Sequence, residues 1–497
     1  MDLDSVRRSV WLTFADSYFG LMLQIGSTMI IARILTPAEI GVFAIAAAFS
    51  TLATMFRDFG VAEYLIQERD LNTEKIAAAL ALNITVSWAM AAAMYFGAPT
   101  VAHFYGYRGV AEVMEVQAIG FLLVPFGAVT MAWFRRELDL RPVAICNVAG
   151  NITAFGTSVT MALAGWGTMA LAWSTVAAIA VTVALSVWFR PASLPRWPSL
   201  RGIAAVFHIS KFLSLMYIVS QVAKSLPEMI IGRALGAVDV AMFSRGNGLL
   251  EMFNRLVMRS VFTVCMPYLA RSDREEGAIA PAYVQSVSYL TAVGWPFLTF
   301  VGIAAYSAIR IVYGPQWDEA VPIAQVLCVA AAIELVHCLS REALASRGLA
   351  KEANKLQAVL AMLLAAGLLA GVPFGLVGAA WGVAIHSALG MLVSQWFLSR
   401  HIGLHAADLV RNCLPSVVLT AMTVAPVALW AAIQGVGTHN YVQFGVGGGL
   451  LTAAAWLVAI HVLRHPLAEE LKPVKRRLQA LWPWAGDGGG AGGGRRD

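Results

Sequence analysis

MIIARILTPAEIGVF, residues 29–43, recurs in altered form as MIIGRALGAVDVAMF at residues 229–243. Six of the fifteen positions are identical, and Glu39 corresponds to Asp239. The alternative is that two apolar segments resemble each other by chance. Apolar composition alone does not explain why both copies have an arginine at the same position, Arg33 and Arg233. Because a repeat at a fixed offset reveals architecture, this pair predicts two copies of one unit in the chain.

The composition is typical of a polytopic membrane protein. Of 497 residues, 59% are hydrophobic and 13% are charged, and the mean hydropathy is +0.70. Soluble domains are usually near half apolar and about a quarter charged. Apolar runs of about 20 residues, long enough to cross a bilayer, recur along nearly the whole chain. We therefore predict an all-α polytopic membrane protein without a soluble catalytic domain.

Motifs for cofactor chemistry are not found. The five cysteines have neither metal-ligand nor disulfide spacing, and no GxxxxGK[ST] phosphate loop occurs. We expect no metal, no cofactor, no ATP hydrolysis and no enzymatic activity. No cleavable signal peptide is expected, because the first apolar stretch is long enough to span and lacks a small-residue cleavage pattern.

We predict fourteen transmembrane spans. They cover residues 10–31, 39–56, 76–97, 116–134, 143–164, 168–189, 209–231, 239–260, 283–305, 320–340, 354–372, 376–398, 412–433 and 441–463. Most of the 35 Lys and Arg residues fall in the connections on the side of the N-terminus. The connections on the other side hold only Arg33, Arg108, Arg233 and Arg310. By the positive-inside rule, both termini are expected to be cytoplasmic.

The repeat assigns the spans to two lobes. Six spans separate its two copies, so both halves share one orientation, which indicates a parallel repeat about an axis along the membrane normal. We predict an N-lobe at 1–195, a C-lobe at 205–400, two appended spans at 401–465 and a basic, Gly-rich disordered tail at 466–497. Two lobes around a midplane cavity are transporter architecture with alternating access.

Span seven carries a polar stripe at three- and four-residue steps, which lies on one helix face. Its members are Ser210, Ser214, Tyr217, Gln221, Lys224, Ser225 and Glu228. Ionisable groups inside a membrane are costly and therefore candidates for function. We expect the stripe to line a hydrated cavity, with Lys224 near its middle. The alternative is an i, i+4 ion pair between Lys224 and Glu228 that only stabilises the helix.

Span eight adds three arginines, Arg245, Arg255 and Arg259, within about 80° of arc. Arginine suits fork-like recognition of phosphate, so Arg255 is a candidate for substrate binding, with Arg245 beside it. Glu251 lies one turn earlier and is a candidate partner that holds Arg255 in place. Arg259 is close enough to the interface to be a surface anchor. The excess of buried positive charge favours an anionic substrate.

Span one has a milder polar stripe made of Thr13, Asp16, Ser17, Gly20, Gln24, Ser27 and Thr28. Gln24 occupies the repeat position of Lys224, so it is a further candidate for the cavity. Asp16 either binds a coupling proton or sodium ion or pairs with a basic neighbour; both alternatives stay open at this point.

Two further sites contain buried titratable groups. Glu334 and His337 lie at i, i+3 in span ten, where they either relay protons or make an ordinary polar contact to Arg341. Glu334 is therefore the second candidate for coupling to protons or sodium. His386 in span twelve is expected to form a helix–helix hydrogen bond.

Four connecting segments resemble a known family. They are FRDFGVAEYLIQERDL (56–71), WFRRELDLRPVA (133–144), VCMPYLARSDREEG (264–277) and IVYGPQWDEAVPIAQVL (311–327). By order and position relative to the spans they resemble the polysaccharide-exporting flippases of the multidrug/oligosaccharidyl-lipid/polysaccharide superfamily, over about residues 5–400. By match to the turn after span two, Arg57 is a candidate substrate residue, or else a surface anchor.

The resemblance implies a bacterial inner-membrane flippase for an oligosaccharide on undecaprenyl pyrophosphate. It implies that the pyrophosphate meets Lys224, Arg255 and Arg245, and that polysaccharide polymerase and glycosyltransferases work beside the protein. Two alternatives remain: a cation-coupled multidrug exporter of the same superfamily, and a membrane-embedded glycosyltransferase or polymerase. The exporter is expected to carry more acids in the first-lobe cavity, and the enzyme is expected to need a carboxylate-bearing loop. No nucleic acid partner is expected.

Overall fold

The computed structural model describes residues 3–58, 61–68, 70–195, 197–200, 203, 221–258, 265, 268–274, 279–463 and 465–467, with side chains described for all of these but 3–15, 58, 63, 67, 256 and 257. Ser210, Ser214 and Tyr217 of the predicted stripe lie outside the described residues, as does Arg259. All but two residues of the predicted tail also lie outside them.

All regular structure in the described part of the chain is helical. Its first half contains α1 (Leu3–Ile34), α2 (Pro37–Asp58), α3 (Val61–Gln67), α4 (Thr73–Tyr105), α5 (Arg108–Leu123), α6 (Pro125–Arg136), α7 (Leu140–Leu163) and α8 (Thr168–Trp188). The rest contains α9 (221–234), α10 (Ala237–Phe253), α11 (268–274), α12 (Ile279–Ile303), α13 (Ala305–Val312), α14 (Ala320–Glu334), α15 (Ser340–Ser346), α16 (Ala350–Gly371), α17 (Gly375–Ile402), α18 (Ala406–Gln434) and α19 (Tyr441–Val462).

Among the described residues, nine helices are long and apolar enough to cross a membrane, or ten if the bent pair of α5 and α6 forms one span. This confirms the predicted all-α polytopic class, whereas the count of fourteen spans stays a prediction. Within the first half α7 packs against α1 and α8, and α5 packs against α2, α4 and α8. In the second half α14 packs against α10, α12 and α17. Helix α18 packs against α12, and α19 packs against α13 and α18.

Three predicted spans differ from the helices that are present. The span at 116–134 bends by 53° between α5 and α6, because Pro125 has no N–H for the helical ladder. The span at 239–260 changes at Asn254 to a wider π-helical turn, Asn254–Met258. The span at 320–340 ends as a helix at Glu334, and a turn leads into α15. Such changes follow from tertiary packing and carry no strong periodicity signal.

The expected long connection at 98–115 is mostly helix. Helix α4 continues to Tyr105 despite Pro99, and α5 starts at Arg108. Gly106 closes α4 in the left-handed conformation, with φ of 78°, which glycine adopts without the steric cost of a Cβ. This end of the first half is therefore a tight helical turn with no room for a loop that assembles chemistry.

The two repeated segments meet at the junction of the halves, where α2 packs against α10. Thr36 caps α2: its backbone N–H donates to Glu39 Oε2 at 2.8 Å, and Glu39 N–H donates to Thr36 Oγ1 at 3.3 Å. This capping box fixes the start of α2. A Cβ added at Gly41 would overlap the carbonyl oxygen of Ala237, the first residue of α10. Gly41 thus permits the close approach of the two helices.

Candidate functional site

A cavity of about 1600 Å³ lies between the two halves of the chain. Helices α1, α2, α7 and α8 form one wall, and α9, α10 and the π turn after it contribute to the other. Its polar lining includes Asp16, Ser17, Gln24, Ser27, Thr28, Thr51, Asn147, Asn151, Ser158, Ser174, Thr182, Gln221, Lys224, Ser225, Glu228, Ser244, Arg245 and Arg255. The structure therefore brings described members of both predicted stripes to one cavity.

Hydrogen bonds between the halves join the end of α1 to the end of α13 and to the segment after it. Arg33 donates from Nη1 to the carbonyl oxygen of Val312 at 3.0 Å and from Nη2 to that of Ile311 at 2.6 Å. Trp317 Nε1 donates to the carbonyl oxygen of Ala32 at 2.8 Å, and Gln316 donates to the same oxygen. These contacts join the halves just beyond Ile31, which lines the cavity.

Lys224, Arg245 and Arg255 are the cationic side chains among the described lining residues, and all belong to the second half. Lys224 is exposed to the cavity. Arg255 donates a hydrogen bond to the side-chain oxygen of Gln24 in the first half. The Arg245 guanidinium carbon lies 5.2 Å from the ring centre of Tyr313 and 5.1 Å from that of Trp317. Its Nε is buried without a hydrogen-bond partner among the described residues.

Two ion pairs were considered from the sequence, Lys224 with Glu228 and Arg255 with Glu251. Neither forms within the described part of the chain. Lys224 makes no salt bridge there, and Glu228 Oε2 is buried without a partner. Lys224 is exposed and Glu228 is partly buried, although both line the cavity. Arg255 pairs with Gln24 instead of Glu251, because the π turn holds more residues per turn and shifts Arg255 from the face above Glu251.

Three predicted site residues are not among the lining residues: Arg57, Glu251 and Glu334. The Arg57 guanidinium carbon lies 5.4 Å from the ring centre of Phe121. Glu334 ends α14, and the predicted contact of Arg341 is made with Glu342, at 3.2 Å.

The predicted histidine contacts are also changed. His337 lies in the turn after α14, and its Nδ1 has no partner among the described residues. The Nδ1 of His386 is likewise unpaired there, so the expected helix–helix hydrogen bond through this atom is not found.

The first-half wall holds a series of polar contacts between α1 and α7. Asn147 Nδ2 donates to Asp16 Oδ2 at 2.9 Å. Asp16 thus pairs with an amide among the described residues, not with a basic neighbour. One turn later, a Cβ added at Gly20 would lie 2.7 Å from Asn151 Nδ2. Sequence reasoning missed Asn147 and Asn151, although their i, i+4 spacing in an apolar span is a signal of the kind used for span seven.

The two walls differ in chemistry. The second-half wall presents three cations, which suit phosphate. The first-half wall offers hydroxyls and amides, with Asp16 as its one charged side chain among the described lining residues. A volume of about 1600 Å³ exceeds the roughly 300–1,000 Å³ of pockets for drug-sized ligands. The cavity can thus hold a large polar molecule that bears an anionic group at one side.

The chain is similar in sequence to curated relatives over most of its length, and similar in fold to a solved structure. TuaB of Bacillus subtilis, a teichuronic acid biosynthesis protein, is 21% identical over 80% of this chain and 83% of its own. Agl15 of Haloferax volcanii, a probable low-salt glycan biosynthesis flippase, is 24% identical over 81% of this chain and 85% of its own. The structure of the lipid II flippase MurJ in an inward closed conformation covers 93% of this chain and 99% of its own, with a TM-score of 0.75 and 11% identity.

The likeness to MurJ is one of fold, which confirms the predicted class. A sequence family described as polysaccharide biosynthesis protein matches residues 30–322, more than half of the chain. The chain therefore belongs to this polysaccharide biosynthesis protein family.

Proposed function

We propose that the protein is a flippase that moves an oligosaccharide linked to undecaprenyl pyrophosphate across a bacterial inner membrane, from the cytoplasmic to the periplasmic leaflet. The observation that carries the proposal is the cavity between the halves, with an excess of cations on one wall and, on the other, hydroxyls, amides and the carboxyl group of Asp16 among the described lining residues. Family membership and the flippase relatives support it. The protein acts as a transporter and not as an enzyme.

The cations of the second-half wall bind the pyrophosphate. Lys224 is exposed to the cavity, and Arg245 has one unpaired Nε. Arg255 gives its hydrogen bond to a neutral amide, so an anion that replaces Gln24 gains a charge-assisted bond. The prenyl tail stays in the lipid and passes between helices, while the sugars occupy the cavity. Gln221 lines the same cavity beside Lys224.

Transport proceeds by alternating access of the two lobes. The bonds of Arg33, Gln316 and Trp317 close one end of the cavity. We place this end at the periplasmic side and both termini in the cytoplasm, because the Lys and Arg bias predicts that orientation. In the other state of the cycle these bonds are broken and the glycan leaves.

Energy for concentrative transport comes from a proton or sodium gradient, and the candidate coupling groups are Asp16 and Glu334. Of the two, Asp16 lines the cavity, and its Oδ1 is buried without a partner among the described residues. A carboxylate in this state gains from binding a proton or a cation. Polymerase and glycosyltransferases that make and use the glycan are the expected partners.

The experiment is mass spectrometry of lipid-linked oligosaccharides in cells depleted of the protein. Accumulation of an undecaprenyl-pyrophosphate glycan, relieved by wild type but not by Lys224→Ala or Arg255→Ala, is expected. If both variants rescue, the anion site is wrong. If nothing accumulates and drug sensitivity changes instead, the protein is a multidrug exporter and the proposal fails.

A further inference from the structure

We infer that Asn147 and Asn151 of α7 read the glycan, so the first-half wall selects the sugar while the second-half wall holds the pyrophosphate. This inference rests on the proposed function and deepens it by assigning the two parts of one substrate to opposite walls of the cavity.

The division follows from charge. Among the described lining residues, the second half has three cations, Lys224, Arg245 and Arg255, against one carboxyl group, that of Glu228, whereas the first half has the carboxyl group of Asp16 and no cation. A phosphate beside a carboxylate is repelled, and one beside a guanidinium or ammonium is attracted. The pyrophosphate therefore lies toward α9 and α10, and the glycan is turned toward α1 and α7.

Asn147 is fixed as a hydrogen-bond acceptor. Its Nδ2 donates to Asp16 Oδ2 at 2.9 Å, and only the nitrogen of an amide can donate, which sets the orientation of the amide. Its side-chain oxygen is left for a hydroxyl donor, since no other hydrogen bond of this amide occurs among the described residues. Asp16 is thus a positioning residue that acts through Asn147.

Asn151 lies one turn further along the same face of α7, and it lines the cavity. Its amide makes no hydrogen bond with the described residues. Because a Cβ at position 20 would lie 2.7 Å from Asn151 Nδ2, Gly20 gives this amide room beside α1. An amide that offers both a donor and an acceptor suits the hydroxyl groups of a sugar ring.

Selectivity for the glycan follows because a ligand without matching hydroxyl groups would leave the amides of Asn147 and Asn151 unpaired. A site that is built to hydrogen-bond a hydroxyl discriminates against a ligand that lacks it, because its polar groups then lose their partners. A pyrophosphate that is bound by the cations of the second-half wall does not depend on amides of the first-half wall. Loss of either amide is therefore expected to weaken binding of the glycan and to leave the anion contacts unchanged.

The test measures equilibrium binding to the purified full chain with two probes. One is the lipid-linked oligosaccharide that accumulates in depleted cells. The other is undecaprenyl pyrophosphate, which carries no glycan. For Asn147→Ala and Asn151→Ala we expect the Kd for the oligosaccharide lipid to rise about tenfold, with the Kd for undecaprenyl pyrophosphate within about twofold of wild type. Lys224→Ala is expected to raise both values.

Asn83→Ala is the matched control, because Asn83 is a buried amide of the first half outside the described cavity lining; both its Kd values are expected to match wild type. Asp16→Asn keeps an oxygen for Asn147 and is expected to bind the oligosaccharide lipid within about threefold of wild type, whereas Asp16→Ala is expected to resemble Asn147→Ala. An equal rise for both probes in the Asn147 and Asn151 variants, or no rise, overturns the inference. If wild type binds neither probe, the proposed function fails with it.

Discussion

Arg255 of the second half donates a hydrogen bond to the side-chain oxygen of Gln24 in the first half. Gln24 stands at the repeat position of Lys224, so the two copies of one unit place a neutral group and a cation at equivalent points. The bond joins the walls of the cavity, and it engages the cation that the proposed substrate needs. Substrate binding and contact between the walls therefore compete for the same guanidinium group.

A carboxylate at position 24 is expected to hold that guanidinium more strongly. Gln24→Glu converts the bond to a charge-assisted pair, which is stronger by roughly 1 kcal/mol or more. We expect the Kd for the lipid-linked oligosaccharide to rise about tenfold. Gln24→Ala is the control, with a Kd at or below the wild-type value because Arg255 is released. Tighter binding by Gln24→Glu would contradict the role of Arg255.

Arg33 holds the closed end through two carbonyl oxygens of the second half. Arg33→Ala removes bonds worth about 1 kcal/mol each, so the state open at this end gains population. We expect an impermeant thiol reagent, added from the periplasmic side, to label Ser244→Cys about fivefold faster in the Arg33→Ala background.

Ser244 is the reporter because it lines the cavity, and the chain without Ser244→Cys gives the background of the native cysteines. Arg108→Ala is the matched control, since Arg108 lies on the same side and its side chain pairs within α5, with Glu112 at 3.4 Å. Equal labelling in the Arg33 and Arg108 variants would show that Arg33 does not close the cavity.

Helices α16 and α17 pack through glycines in contact. A Cβ on Gly371 would overlap the carbonyl oxygen of Gly378, and one on Gly378 would overlap that of Gly371. We expect Gly371→Ala to lower the free energy of unfolding by about 1–3 kcal/mol, as overpacking does, and thermal unfolding in detergent measures it. Gly97→Ala, where nothing lies within 4 Å, is expected to be neutral or stabilising. A neutral Gly371→Ala would contradict this packing.

Asp16→Asn keeps an oxygen that accepts from Asn147, but it removes the charge that we propose binds a proton or sodium ion. We expect gradient-driven transport to fall at least about tenfold, while exchange without a gradient stays within about twofold. Vesicles with and without an imposed gradient give both rates. Glu334→Gln is the comparison, and loss of gradient-driven transport in this variant alone would assign coupling to Glu334.

Periodicity in the sequence was enough to find much of the cavity. Spacing within span seven predicted that Gln221 and Lys224 face the cavity. The repeat relates span one to span seven, and it therefore predicted that Gln24 faces the same cavity. Contacts between helices were beyond this reasoning. The bond from Arg255 to Gln24 depends on the π turn after α10, and a regular helix predicted a pair with Glu251 instead.

Helix ends and bends limited the rest. Pro125 was visible, yet its bend of 53° depends on the packing of α6. Glu334 was placed inside a continuous span, whereas α14 ends at this residue and its side chain is not part of the described cavity lining. Asn147 is a candidate because its Nδ2 lies 2.9 Å from Asp16 Oδ2. The two residues are 131 positions apart in the sequence, so spacing within one helix could not predict this contact.

The most direct test uses vesicles that contain the purified chain and the lipid-linked oligosaccharide from depleted cells. The fraction of glycan accessible to an added glycosidase reports movement between leaflets. We predict that wild type moves the lipid much faster than empty vesicles do, and that Lys224→Ala and Arg255→Ala slow it at least about tenfold, as expected for loss of one charge-assisted contact. Movement no faster than in empty vesicles would contradict the flippase, and wild-type rates in both variants would contradict its anion site.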